Sequence, residues 1–223
     1  MPEDGAGTQG LGGRTVLIAG ASSASGLAAA LALVGAGARV VAVGRDESAL
    51  ARVAAAGAEI EVCDLTDERA VDDLAAKIGA VDGILHLVGG WRGGGGLAGQ
   101  SDADYRFLEQ SLTALRHVTR AFDDGLRAST AARVAIVSSP AVARPLAGGA
   151  NYAAVKAASE AWTRAVAQGF AKAARDAGTP LTAASVVFRV KSLDGLEDAL
   201  ARAFVDLWDE DAVELNDAIL DLS

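Results

Sequence analysis

The chain has 223 residues, 51% of them hydrophobic, and a formal net charge of −9. That length suffices for one α/β domain with a substantial core. The acidic balance argues against nonspecific nucleic-acid binding, which needs a basic footprint, and no apolar run approaches the ~20 residues of a membrane span.

Residues 1–13 are polar and glycine-rich, without the basic flank and apolar stretch of a secretory signal, and read as a flexible leader to a single domain over 14–223. Thr15–Ala19 (TVLIA) is a short apolar run that predicts the first strand. A helix follows from Gly26 to Ala36, with Leu27, Leu31 and Val34 on its expected apolar face. Arg39–Val43 is the second strand. Asp46 is placed to cap a helix reaching about Ala56. Glu59–Val62 is the third strand, and Asp67 opens a helix to about Ile78. Gly83–Leu87 is the fourth strand, followed by a glycine-rich loop from Gly89 to Gly99.

A long helix is expected over Asp102–Asp123, a fifth strand over Arg133–Ser138, and a second long helix over Ala150–Arg175. Leu181–Phe188 reads as the sixth strand. Leu196, Leu200, Phe204 and Leu207 mark a last amphipathic helix, and Ala218–Leu222 a short final strand. Strands alternating with helices predict a Rossmann-type, doubly wound and mostly parallel sheet with helices on both faces.

The first strand runs into Gly20-Ala21-Ser22-Ser23-Ala24-Ser25-Gly26. A strand, glycine turn and helix in succession aim backbone N–H groups and a positive helix end at a pyrophosphate. Gly20, Ser22, Ser23, Ser25 and Gly26 are therefore candidate cofactor contacts, although the same element also serves as a tight turn that binds nothing. The second strand ends Val43-Gly44-Arg45, with no acid at Gly44 for a ribose 2′-hydroxyl. An arginine there suits a 2′-phosphate, so Arg45 favours NADP over NAD. The alternative for Arg45 is a solvated charge partly neutralised by Asp46.

Tyr152 and Lys156 are four residues apart, on one face of the second long helix. Ser139 lies thirteen residues before Tyr152, at the end of the fifth strand. A strand-end serine can meet that helix face in the crevice where doubly wound sheets bind ligands. Ser138 is one residue too far for the same spacing.

From Thr15 onward the chain resembles the short-chain dehydrogenase/reductase family. Ala19 to Gly26 is similar to the family's TGxxxGxG turn, with Ala19 for Thr and Ala24 for the middle Gly. Ser139, Tyr152 and Lys156 are similar to its Ser–Tyr–Lys triad. The resemblance implies hydride transfer between a nicotinamide and a carbonyl or alcohol, with Tyr152 as acid–base. Lys156 would lower the phenol pKa and hold the nicotinamide ribose, and Ser139 would orient the carbonyl oxygen. It also implies adenine contacts from Asp64 and Leu65, although Asp64 equally suits a turn or helix cap. Leu87-Val88-Gly89-Gly90 stands where the family has Asn-Asn-Ala-Gly. Val88, Gly89 and Gly90 would line the cofactor through their backbone. Ser111 aligns with the family's relay asparagine, and the family's Pro-Gly after the sixth strand is missing from Val186-Val187-Phe188-Arg189.

Gly89-Gly90-Trp91 is also similar to a stretch of dihydropteridine reductases, which makes pteridine reduction an alternative. A further alternative is a non-catalytic NADP-binding sensor or assembly subunit. The six glycines around Trp91 and Arg92 imply a mobile loop. His86 and His117 lack metal-ligand spacing, so no metal is expected, and His86 reads as a strand residue with a satisfied ring. The lone cysteine, Cys63, fits a reducing, cytoplasmic setting. Leu115 and Trp162 read as outer positions of the two long helices. By the resemblance those helices pair copies of the chain into a homodimer or homotetramer around a small-molecule substrate, with no membrane or nucleic-acid partner.

Overall fold

The computed structural model describes residues 10–222. Seven strands form one all-parallel sheet: β1 (Thr15–Ala19), β2 (Arg39–Gly44), β3 (Glu59–Val62), β4 (Gly83–His86), β5 (Arg133–Ser138), β6 (Ala184–Arg189) and β7 (Ile219–Asp221). Their order is β3-β2-β1-β4-β5-β6-β7. The chain steps outward from β1 to β3, then returns to lay β4 on the other side of β1, so the strand order reverses there. A crevice at the carboxyl ends of β1 and β4 is the geometric result. The expected doubly wound fold is the one observed.

The helices are α1 (Ala24–Gly35), α2 (Glu47–Ala55), α3 (Glu68–Ile78), α4 (Asp102–Ala121), α5 (Asp123–Ala128), α6 (Ala150–Ala177), α7 (Glu197–Asp206) and α8 (Ala212–Leu215). Ser23, Asp46, Asp67 and Ser101 cap α1 to α4 through their side chains. Each satisfies backbone N–H groups that a helix start leaves unpaired. One face of the sheet packs Val16, Ile18 and Phe188 against Leu33 of α1 and Phe204 of α7. The other packs Leu17, Val41 and Val134 against Leu74 of α3 and Val118 of α4. Strands covered on both faces need no polar alternation, which is why β1 reads TVLIA. The edge strand β3 instead carries Glu59 and Glu61, paired with Arg39 and Lys77.

Several elements differ from expectation. Leu31 is 55% exposed, and the buried face of α1 is Gly26, Ala29, Ala30 and Leu33. Small residues let α1 sit close to α7, so the buried stripe follows alanines rather than the larger leucine. Leu115 is buried against Ile136 and Val187, not an outer residue. The helix expected over 102–123 breaks at Phe122 into α4 and α5. The sixth strand starts at Ala184 rather than Leu181. The carbonyl of Thr182 accepts from Arg133 Nη1 and its hydroxyl donates to Ser129 O, which takes this stretch off the β5 ladder. Leu11, assigned to the leader, is 1% exposed and its N–H donates to Ala36 O at 2.7 Å. The rest of that leader, residues 1–9, lies outside the described residues.

Candidate active site

The turn after β1 is built around two glycines. Gly20 has φ +85°, and a Cβ there would stand 2.7 Å from Val88 N. A Cβ on Gly26 would stand 2.1 Å from Ala21 O. The first glycine lets the chain turn beside β4, and the second lets α1 start against the turn itself. The Oγ of Ser23 accepts from Gly26 N at 3.1 Å.

This turn opens onto one end of the crevice, lined by Gly20, Ser22, Ser23, Arg45, Asp64 and Leu65. Ala114 of α4 forms its far wall. Asp64 Oδ1 accepts from Thr66 N and Oγ1, at 2.9 and 2.8 Å, which holds the carboxyl below its usual range with help from the nearby charge of Arg45. Asp64 is thus a turn acid that also lines the cleft. Asp46 spends its carboxylate on Ser48 and Ala49 at the start of α2, and Arg45 forms no ion pair among the described residues. The guanidinium lines the cleft.

Ser23, Leu87, Val88 and Gly89 continue from this end into a second cavity of about 530 Å³. There Ser25, Gly90 and Trp91 face Tyr152, Lys156, Ser138 and His86, with Val190–Leu193 closing the side. The expected cofactor residues therefore line one continuous groove, except Gly26, whose role is to let α1 approach.

Tyr152 and Lys156 stand one turn apart on α6. The Lys156 ammonium lies 5.7 Å from the Tyr152 ring centroid and donates to Val137 O at 2.7 Å. Desolvation pushes the ammonium down to about 8, and the charge of Glu160 works against that shift. Burial raises the Tyr152 phenol above its ordinary value, and its hydrogen bond with the Ser139 side chain offsets only part of this. The expected lowering by Lys156 is not the dominant influence on the phenol: burial is, and it holds Tyr152 above its ordinary value.

Ser139 is buried, accepts from Ala141 N at 3.2 Å, and is the serine that meets Tyr152. Ser138 donates to Glu160 Oε1 at 2.6 Å and is committed elsewhere. Burial pushes the Glu160 carboxyl up, but bonds from Arg189 and Ser138 hold it below its usual range overall. Ser111 is not brought to the triad. Its hydroxyl donates to Leu108 O at 2.8 Å, within its own helix.

His86 corrects a second expectation, because only one ring nitrogen is satisfied. Nε2 pairs with Ser111 O at 3.0 Å, and Nδ1 has no partner among the described residues. The glycine loop is more constrained than its composition implies. Gln100 Nε2 donates to Gly94 O and Gly148 O at 3.1 and 3.0 Å, and Gly94 N donates to Gly148 O at 2.7 Å. Arg92 stacks on the Phe107 ring, 3.9 Å from its centroid, so its guanidinium has a packing role. Gln100 and the Glu160–Arg189 pair were not singled out in the sequence. Their spacings, 51 residues from Gln100 to Asn151 and 29 from Glu160 to Arg189, carry no periodic signal. Among the described residues there is no cluster able to hold a metal ion, and no helix is long and apolar enough to cross a membrane.

Residues 14–174 match the family model of the short chain dehydrogenases. No curated protein matches the sequence. A protein described as a short chain dehydrogenase from Escherichia coli CFT073 superposes with a TM-score of 0.84 at 21% identity, covering 99% of each chain. One so described from Shigella flexneri 2a str. 301, complexed with NADP, gives 0.82 at 21% identity over 96% of this chain and 98% of that one. An NAD+-bound xylitol dehydrogenase gives 0.80 at 18% identity over 95% and 98%. At these identities the structural likeness establishes the fold.

Proposed function

The chain belongs to the short-chain dehydrogenase family and is an oxidoreductase, and from that premise we propose that it transfers a hydride between NADP and a small carbonyl or alcohol substrate at Ser139, Tyr152 and Lys156. The observation that carries the reading is that Tyr152 and Lys156 line the same groove as the glycine turn. The groove fits a dinucleotide. Its turn has no side chain at Gly20, α1 starts beside it at Ala24, and its far end is lined by a phenol and an ammonium.

Bound NADPH would supply the hydride that reduces the substrate carbonyl carbon. Ser22 and Ser23 and the amides at the start of α1 would hold the pyrophosphate, and Arg45 the 2′-phosphate. Lys156 would hold the nicotinamide ribose with the N–H groups it does not give to Val137. The Ser139 hydroxyl donates to the carbonyl oxygen and stabilises the charge that develops there. Tyr152, protonated in its buried setting, gives its phenolic proton to that oxygen. The Lys156 ammonium stabilises the phenolate left behind. In the oxidative direction each step reverses.

NADPH consumption with a panel of ketones, aldehydes and quinonoid pteridines tests the reading. The Tyr152→Phe variant should lose about 10²–10⁴-fold in rate. Undiminished turnover in that variant would remove the mechanism, and NADPH binding without turnover on the whole panel counts against hydride transfer. Trp91, 61% exposed on the cavity wall, favours a planar substrate and keeps pteridine reduction as a second reading. The reading includes a homodimer or homotetramer through the outer faces of α4 and α6. There Arg116 stands 5.4 Å from the Trp162 ring centroid. A monomer at every concentration in sedimentation would exclude it.

A further inference from the structure

Three successive residues at the end of β5 meet three residues of α6. The Val137 carbonyl accepts from Lys156 Nζ at 2.7 Å. The Ser138 hydroxyl donates to Glu160 Oε1 at 2.6 Å. The Ser139 side chain bonds Tyr152. Tyr152, Lys156 and Glu160 recur every fourth residue, so they share one stripe of the helix. The three contacts form together only when α6 keeps one rotation and one height against the strand.

Glu160 is the member of this set tied on a third side. Arg189 lies in register with Ser138 on the neighbouring strand β6. It donates to Glu160 Oε1 from Nε at 3.1 Å and to Oε2 from Nη2 at 2.7 Å. Val190 N donates to Ser138 O at 3.1 Å, which continues the pairing of the two strands past Arg189. One carboxylate thus joins α6 to the ends of both β5 and β6. Glu160 is 6% exposed and lies outside the lining of the cavity that holds Tyr152. A buried charged pair adds little stability over apolar side chains of similar size. What three directed bonds to one carboxylate supply is placement.

We infer that Glu160 is a positioning residue for the Ser–Tyr–Lys site. Clamped by Arg189, it holds Ser138 and so sets the register in which α6 presents Lys156 to Val137 and Tyr152 to Ser139. The inference rests on the functional reading only for what Tyr152 and Lys156 then do. Glu160 itself transfers no proton and acts through the two residues that precede it along the stripe.

The test separates geometry from charge. Glu160→Gln keeps the side-chain length and an oxygen for Ser138 and Arg189 Nε, without the charge. Glu160→Leu loses every one of these bonds. The chain has only four lysines, so lysine labelled with 15N gives few ammonium signals in NMR. Well below the Lys156 value of about 8 its ammonium is charged, and its bond to Val137 slows proton exchange with water. Exchange should match wild type in the Gln variant and quicken about tenfold in the Leu variant, the worth of one lost hydrogen bond. In turnover, kcat should fall about 10–100-fold in the Leu variant, as for a misplaced catalytic group. Its KM for NADPH should stay near wild type, and Gln should recover most of the rate. A brace for stability alone would lower Tm in the Leu variant and leave exchange as in wild type, and that result would overturn the inference. A Gln variant that exchanges as fast as Leu would also overturn it, since charge rather than geometry would then be at work. If the Leu variant does not fold, Ser138→Ala, which removes only the hydroxyl bonded to Glu160, takes its place under the same criteria. The exchange measurement needs neither substrate nor cofactor, so it fails or succeeds apart from the Tyr152→Phe test of turnover.

Discussion

Lys156 Nζ donates to the carbonyl of Val137 at 2.7 Å, which ties the middle of α6 to the end of β5. The lysine is therefore placed by the sheet rather than by its own flexible stem. Its four methylenes cross from helix to strand, and its ammonium stands where desolvation weakens its hold on the proton.

That weakened hold sets a pH limit. The Lys156 ammonium titrates near 8, below its ordinary 10.5. Carbonyl reduction needs the charged form to stabilise the Tyr152 phenolate, so kcat/KM should fall as pH rises through about 8. A rate that stays flat well above that pH would contradict the role. The same depressed value means that the folded state releases this proton first. Its contribution to stability is full above the unfolded value and is lost as pH falls through about 8.

Arg45 stands at the rim of the groove, while Asp46 is occupied by the cap of α2. Arg45→Ala should weaken NADPH about 10–100-fold, the worth of one or two charge-assisted bonds. NADH should bind almost as before. Isothermal titration with both dinucleotides measures the difference, and equal weakening would refute a 2′-phosphate contact.

Gly26→Ala places a methyl carbon 2.1 Å from Ala21 O, inside any tolerable contact. The backbone of the turn must move to admit it. A cost of about 1–3 kcal/mol is expected for such overpacking, or roughly 3–10 °C in Tm for a chain of this size. NADPH affinity should drop with it, because the amides proposed to hold the pyrophosphate sit on the displaced segment. Thermal unfolding at wild-type Tm would show that α1 does not need this approach.

His86 predicts a stability profile on the acid side. Its folded pKa is about 3, against an ordinary 6.5. The unfolded chain therefore takes up the proton first as pH falls. The stability associated with the neutral ring is complete above about 6.5 and is lost progressively toward 3. The Tm difference between wild type and His86→Gln should move against the wild type across that window. A difference that stays constant with pH would mean that the ring is not buried as a neutral group.

Much of this architecture was legible in the sequence. β1, β2 and β5 announced themselves as apolar runs, and Asp46 and Asp67 as caps, because those signals are local. Tyr152 and Lys156 were legible because four residues make one helix turn, and Ser139 because a strand ends there. What stayed hidden depends on distant segments meeting. Nothing in the sequence tells that Leu31 faces solvent while Ala29 and Ala30 are buried. The half-satisfied ring of His86 is a relation between β4 and α4, and Gln100 acts on residues about fifty positions away. Ser111 aligned with a relay residue, but a short hydroxyl on a helix finds the carbonyl three residues back before it finds a distant partner.

Gln100 also supplies what the start of α6 lacks. Gly149 offers no side chain there, and Gln100 Oε1 accepts from Asn151 N at 3.1 Å while its amide grips the glycine loop and Gly148. One residue thus fastens the glycine loop to the first turn of the helix that carries Tyr152. Replacing Gln100 would therefore free the loop and the start of that helix together, since the same side chain restrains both.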